Sequence, residues 1–238
     1  MLSRRVLCYF PNMFISDGSA SSKSERTRAR LREIALTSFR DRGYDATTMR
    51  LIAQEAGVSV GNAYYHFATK NDLVQELYLE VQRGHRAAAV PALVDADDLV
   101  DRIAIVYRTG LDQLTAYHEH AAEFLSAAVS PRSEINPLAE ASGEARAITE
   151  GLFAEAVHGA RSGTAPKDLA EALPTVLFLA HLLLALFWVY DRSEGQQRTR
   201  RLLDRGLALL RTTLPLARLP IVRGVVRELL ELIAEAGR

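Results

Sequence analysis

Apolar positions in this chain recur at helical rather than alternating spacing almost throughout, which predicts an all-α protein. A polar lead-in at 19–23 is followed by Ser24 and a first helix over 25–42. Leu31, Ile34, Ala35, Leu36 and Phe39 form its buried stripe, with Arg28, Arg30, Arg32 and Arg40 mostly on other faces. Gly43 stands where a helix end favours a residue free to take a positive φ. Thr47 and Thr48 are placed to cap a short helix over 49–55 that Gly57 ends, and Ser59 to cap a third over 60–67. Thr69 precedes a fourth over 71–89, with Leu73, Leu77 and Val81 on one side and Pro91 as its breaker. Further helices are expected near 96–117, 119–129, 137–160, 167–191, 196–213 and 221–236, punctuated by Gly163, Pro166, Gly195, Pro215 and Pro220. The pattern divides the chain into a flexible N-terminal extension (1–23), a small head (24–70) and a larger body (71–238). The fourth helix joins head to body directly, which favours mechanical coupling over a loose tether.

The segment 176–190 (VLFLAHLLLALFWVY) is apolar on nearly every side. With 15 residues and His181 inside it, it falls short of the ~20 apolar residues a spanning helix needs. Such a helix must be covered from all directions, so burial is expected in place of a membrane span, and a partner subunit can supply the missing cover. Trp188 and Tyr190, each an apolar body with one polar handle, suit an interface between subunits, simple core being the other reading. The start of the chain has a weak likeness to a signal peptide, with Arg4 and Arg5 before an apolar stretch. Pro11 and Asn12 interrupt that stretch, so a loose tail is expected instead, with Met13 open as an alternative start.

Among 238 residues, 48% are hydrophobic, enough for a sizeable core. The 29 basic and 29 acidic residues cancel, so net charge names no partner. Their distribution says more: residues 1–70 hold 11 Lys/Arg against 6 Asp/Glu, and the remainder 18 against 23. A basic block at one end suggests nucleic acid there, although a solvated face gives the same run. The single cysteine, Cys8, excludes an internal disulfide and a thiol pair for a metal, in keeping with a reducing cytoplasm. No Gly-rich phosphate loop, Gly-x-Ser-x-Gly turn or His-Glu-x-x-His stands in the chain, which argues against an enzyme. No cofactor or metal is expected.

The informative stretch is 47–73, TTMRLIAQEAGVSVGNAYYHFATKNDL. A short amphipathic helix carries Leu51, Ile52 and Ala53; Gly57 permits a sharp turn; Val58 plugs it; and Ser59 opens the next helix. This is the anatomy of a helix-turn-helix, whose second helix enters the major groove. Gly61 is a poor helix residue, costing ~1 kcal/mol against alanine, and its benefit would be close approach of the backbone to a duplex. Val60 can meet thymine methyls and Asn62 can hydrogen-bond base edges. Tyr64, Tyr65 and His66 offer donors to phosphates, Phe67 should point inward, and Lys70 opens the following helix where an ammonium can hold a phosphate.

These residues resemble the TetR family closely. Its pattern of a threonine-led helix, Ala-Gly-Val-Ser, glycine, tyrosine, an aromatic or histidine, Phe, lysine and leucine is matched by Thr48, Ala56, Gly57, Val58, Ser59, Gly61, Tyr64, His66, Phe67, Lys70 and Leu73. Ala35, Phe39, Gly43 and Tyr44 fit the family's first helix, so the likeness covers residues 24–75. The resemblance implies a homodimer on a palindromic double-stranded operator, each subunit with a three-helix DNA-binding head and a helical body that holds a small-molecule effector. The last helices pair with the partner's, and the effector moves the fourth helix. The implied DNA contacts are Thr48, Ser59, Val60, Gly61, Asn62, Tyr64, Tyr65, His66 and Lys70. The extension before Ser24 and the terminal helix over 221–236 depart from the family pattern.

A pocket needs apolar walls with a few polar groups. On the middle helices, Tyr107, Tyr117, His120, Phe124, Phe153, Phe178 and His181 could line one, although each is individually better read as core. His118 and His120, two apart on a helix, do not share a face and are expected to be exposed histidines rather than metal ligands. The alternative to an effector-responsive repressor is a helix-turn-helix protein without a ligand, for which the middle helices would be filled rather than hollow.

Overall fold

The computed structural model describes residues 22–129 and 133–219, with 224, 226–229 and 232 beyond them. Residues 1–21, and most of the helix expected over 221–236, lie outside the described residues; positions 224, 226–229 and 232 are helical. Ten α-helices, with short 3-10 turns at some of their ends, make up most of the described chain: α1 (Lys23–Ala46), α2 (Met49–Ala56), α3 (Val60–His66), α4 (Lys70–Leu93), α5 (Leu99–Leu114), α6 (Ala121–Ala128), α7 (Gly143–His158), α8 (Lys167–Ala170), α9 (Leu173–Tyr190) and α10 (Gln197–Thr213). No strand occurs among the described residues, only an isolated bridge between Asp98 and Ser162.

Local chemistry moves several boundaries from where the sequence pattern put them. Ser22, not Ser24, caps α1: its hydroxyl accepts from Glu25 N–H at 3.1 Å while the Glu25 carboxylate takes the Ser22 N–H, a reciprocal box. Gly43 does break α1, with φ +82° and ψ −179°, but three further residues continue the helix to Ala46. Pro91 does not end α4; it sits in the last turn, where a missing N–H costs one bond, and the helix closes at Leu93. The stretch expected as one helix over 167–191 is two, because Pro174 cannot continue α8 and serves instead in the first turn of α9. The helix expected from 96 starts at Leu99, where the Asp98 carboxylate accepts from the N–H groups of Val100 and Asp101.

Two hydrophobic cores form, and α4 serves both. The head core gathers Leu31, Ala35 and Phe39 of α1, Ile52 and Ala53 of α2, Ala63, Phe67, and Leu73, Val74 and Leu77 of α4. It also takes Phe124 and Ala128 from α6 and Ile135, so the head is not closed at residue 70. The body core packs Ile103, Tyr107 and Leu111 of α5 against Leu152 and Phe153 of α7 and against α9 and α10, with Ala89 and Leu93 of α4 at its edge. At roughly 1.5–3 kcal/mol for each large apolar side chain fully buried, these cores dominate stability. Arg102 is buried without a carboxylate partner among the described residues. Its guanidinium donates to the carbonyls of Leu93, Ala96, Glu155 and Ala156 at 2.7–2.9 Å, which satisfies the ends of α4 and α7 together. The α9 helix is apolar enough by length and composition to cross a membrane, yet one face packs into the body through Leu177, Phe178, His181, Leu184 and Trp188. Its other face leaves Leu183, Leu186, Phe187 and Tyr190 exposed.

Candidate nucleic-acid interface

The turn between α2 and α3 is built as its residue types require. Gly57 takes φ +66° and ψ 33°, and its N–H and that of Val58 bond back to Gln54 and Ala53 carbonyls. Thr48 and Ser59 cap the two helices, their hydroxyls accepting from Leu51 and Asn62 N–H at 3.2 and 3.1 Å. Each hydroxyl hydrogen stays free to donate outward, since only its oxygen is used by the cap. Within α3 only Ala63 is buried. Val60, Gly61, Asn62, Tyr64 and Tyr65 face solvent, Tyr65 at 79% exposure, and a Cβ built on Gly61 would meet nothing within 4 Å. Four side chains on a short, exposed helix, with Gly61 open among them, thus offer an apolar contact, an amide and two phenols to solvent. Phe67 turns inward as expected.

His66 is half-buried, its ring edge-on to Tyr65 with centroids 5.1 Å apart. Lys70 is not the free ammonium that its position suggested. Its Nζ donates to the Tyr44 carbonyl at 2.9 Å and lies 3.7 Å above the Tyr44 ring, and burial lowers its pKa. The N-terminus of α4 beside it is already occupied by the Asp72 carboxylate in a capping box with Thr69. Lys70 therefore ties the end of α1 to α4, with its remaining N–H groups available to an anion. Sequence reasoning missed other cations on the head. Lys23, Arg26 and Arg30, spaced three and four apart on α1, and Arg50 on α2 are exposed and have no ion-pair partner among the described residues. Arg50 could have been found inside the motif; the α1 residues show no local signal. Arg28 is committed instead, to His66, Glu76 and Phe67.

The seven pocket candidates do not come together. Tyr107, Phe153, Phe178 and His181 share the body core, joined by His85, which no motif or spacing in the chain marks out. The Tyr107 ring packs tilted against Phe153, with centroids 5.0 Å apart, and its hydroxyl donates to the Leu177 carbonyl at 2.8 Å. The His85 Nε2 meets the Val106 carbonyl at 2.8 Å, so that nitrogen carries the proton. His181 Nδ1 is buried with no hydrogen-bond partner among the described residues, and burial, with His85 adding to it, pushes its pKa down to about 3. The cluster is tight at Gly110, where an added Cβ would stand 2.9 Å from His181 Cε1 and 3.1 Å from His85 Cε1. Tyr117, His120 and Phe124 lie elsewhere, at the seam between body and head. Phe124 packs edge-on to Phe39 and Tyr44, and Tyr117 lines an open groove of about 270 Å³ with Arg40, Glu80, Gly84 and Gln113.

His118 and His120 are both half-buried, against the expectation of exposure. His118 Nε2 meets the Trp188 carbonyl at 3.0 Å, and His120 Nδ1 meets Glu123 at 3.1 Å. Burial tends to raise the Glu123 pKa, but the Asp45 N–H and His120 outweigh it and hold the carboxyl low. Trp188, expected to face a partner, is buried in the body core, whereas Tyr190 is exposed.

Comparison with known proteins places these features. Residues 31–77 match the family model of bacterial regulatory proteins, tetR family, and residues 102–232 match the tetracyclin repressor-like C-terminal domain. The HTH-type transcriptional repressor KstR2 of Rhodococcus jostii is 38% identical over 92 residues, 39% of this chain and 38% of that protein. KstR2 of Mycobacterium tuberculosis is 48% identical over 50 residues, 21% of this chain and 25% of that protein. The HTH-type transcriptional regulator TtgR of Pseudomonas putida is 37% identical over 79 residues, 33% of this chain and 37% of that protein. The matched stretch thus spans about a quarter to two-fifths of these relatives. A TetR transcriptional regulator from Nitrosomonas europaea shares the fold at a TM-score of 0.58 and 18% identity, covering 77% of this chain and 97% of that one. A tetR-family regulator from Streptomyces coelicolor does so at 0.59 and 17% identity, covering 90% and 88%.

Proposed function

The chain belongs to the TetR family of bacterial regulatory proteins, and from that premise we propose that it is a cytoplasmic, dimeric transcriptional repressor that reads a palindromic operator with α3. The observation that supports this most directly is the exposed face of α3, with Asn62 and Val60 toward its N-terminal end and Gly61 open between them. In helix-turn-helix proteins that end meets base edges. Asn62 and Val60 are assigned to base reading, and Thr48, Ser59, Tyr64, Tyr65, His66 and Lys70 to the phosphates, with the unpaired Lys23, Arg26, Arg30 and Arg50 adding positive charge. Residues 24–70 act as the reading unit, although their core extends onto α4 and α6.

The body is assigned to pairing and to sensing. The open apolar face of α9, with Leu202 and Leu209 of α10, is proposed to be covered by a second copy rather than by lipid. Release by a small molecule rests on family membership and on the buried His181 Nδ1, which has no hydrogen-bond partner among the described residues. The tight packing at Gly110 is what a helix-turn-helix protein without a ligand would show, so an effector has to open its own space.

Selection from a random duplex library on the full chain tests the proposal. An enriched palindrome is expected, bound with an affinity that falls as salt rises. Asn62→Ala should cost ~1–3 kcal/mol at one operator position and relax specificity there. Equal enrichment of all sequences, or affinity independent of salt, refutes it.

A further inference from the structure

A helix that buries one residue of seven cannot be held at a fixed tilt by its own packing, and α3 is such a helix. Its anchors must lie at its ends. The N-terminal end is fixed by the turn at Gly57 and the Ser59 cap. The C-terminal end is held by Phe67, buried in the head core, and by a polar contact from another helix, Arg28 of α1. Its Nη1 donates to the His66 carbonyl at 2.7 Å, its Nη2 to Glu76 Oε1 on α4 at 2.7 Å, and its guanidinium carbon lies 4.2 Å above the Phe67 ring. The second Glu76 oxygen faces Arg32 at 3.8 Å. The His66 carbonyl is one of the terminal acceptors that no intrahelical N–H can satisfy, at the end of a helix where positive charge is favoured.

We propose that Arg28 is a positioning residue for base reading: it fixes the angle at which the 60–65 face of α3 meets the duplex, acting through α3 and without touching phosphate. This rests on the DNA-reading function proposed above. Three features separate Arg28 from the cations around it. Its charge is paired with Glu76, whereas Lys23, Arg26, Arg30 and Arg50 are unpaired among the described residues. Its donors are engaged by two different helices, so it joins α1, the end of α3 and α4 at one point. Its geometry needs a flat fork with two divergent donors and a face that lies on a ring, which lysine cannot supply. Both base contacts lie on α3, whereas Thr48, Lys70 and the cations Lys23, Arg26, Arg30 and Arg50, which attract any duplex, lie off it, so loss of the α3 tilt degrades discrimination more than total attraction.

The test uses the full chain, the duplex it selects and a scrambled duplex of equal length, with Arg28→Met, Arg28→Lys and Glu76→Gln. For Arg28→Met the ratio of selected to scrambled affinity should fall tenfold or more. Binding to the scrambled duplex should stay within twofold, and the slope of log affinity against log salt should be unchanged. Arg28→Lys, which keeps the charge and guards against a variant that fails to fold, should lose several-fold in the same ratio. Glu76→Gln, which leaves the bond to His66, should lose less. A slope reduced by ~0.9 in Arg28→Met, with equal loss on both duplexes, identifies a phosphate contact and overturns the proposal. So does an unchanged ratio in variants whose melting temperature alone has dropped, which is the mark of a merely structural residue. A wild-type chain that enriches no sequence brings down the DNA-reading function itself, and with it this role.

Discussion

At the scale of single residues, His181 has the largest mismatch between environment and chemistry. It is buried beside His85, Tyr107 and Phe153, and its Nδ1 finds no partner among the described residues. Its folded pKa of about 3 lies below the ordinary 6.5, chiefly because burial disfavours the cation, with His85 adding to it. A depressed histidine pKa means that the unfolded chain binds the proton first. Nothing is lost above pH ~6.5, where both states are neutral, and stability erodes as pH falls from there toward 3. At pH 5 the cost is about 2 kcal/mol for this one group. His85, also lowered by burial, adds a penalty of the same sign. In His181→Leu the difference in unfolding free energy between pH 7.5 and pH 5 should therefore shrink by about 2 kcal/mol, read by urea titration at each pH. An undiminished acid loss would show that His181 is solvated or paired in solution. Lys70 makes the complementary point: a lysine placed by motif at a phosphate position also holds the Tyr44 carbonyl, so its replacement tests two roles at once.

At the scale of elements, α3 sets affinity against stability. Gly61 lies in a helix interior with open space where a Cβ would be, so Gly61→Ala should stabilise the fold by about 0.5–1 kcal/mol. The same methyl would stand on the surface proposed to approach the duplex, and operator binding should weaken while the melting temperature rises. A variant that is more stable and binds as well as the wild type would show that the glycine is not there for DNA. This element was legible in the sequence because its determinants are local: Thr48, Gly57, Ser59 and Phe67 each act within a few residues. Ser22, Pro174 and Pro91 show where local reading slips, since a helix end depends on which of several competent residues tertiary packing selects. The Arg28 clamp and the Arg102 plug were invisible for a different reason. Their acceptors are backbone carbonyls 38 and up to 54 residues away, and a carbonyl leaves no mark on the sequence. The supposed pocket dissolved into two sites on the same ground, because periodicity puts Tyr117 and Tyr107 on middle helices without saying which neighbour each faces.

At the scale of the whole molecule, α9 and α10 leave an apolar surface that nothing among the described residues covers. Leu183 is 67% exposed, and Leu186, Phe187, Tyr190, Leu202 and Leu209 are exposed with it. Soluble monomers rarely show a continuous patch of this kind, and a twofold pair, the commonest assembly, would bury both copies of it at once. Such a pair would present two α3 helices to successive major grooves, ~34–36 Å apart. It would also give the second head a high effective concentration once the first is bound, which can raise overall affinity by 10²–10⁴. Leu183→Glu tests this without disturbing the protomer, because in a single chain the new carboxylate would stand in water. Across the seam it would be buried and unpaired, at a cost of roughly 3–5 kcal/mol. Sedimentation at micromolar concentration should then show a dimeric wild type and a monomeric variant with the same helical content. Operator affinity should drop by at least a hundredfold, although residue 183 is remote from α3, and the affinity of one head for a half-site should be preserved. A variant that still sediments as a dimer would place the subunit contact on another face. A wild-type monomer that binds its operator tightly would remove the need for a pair altogether.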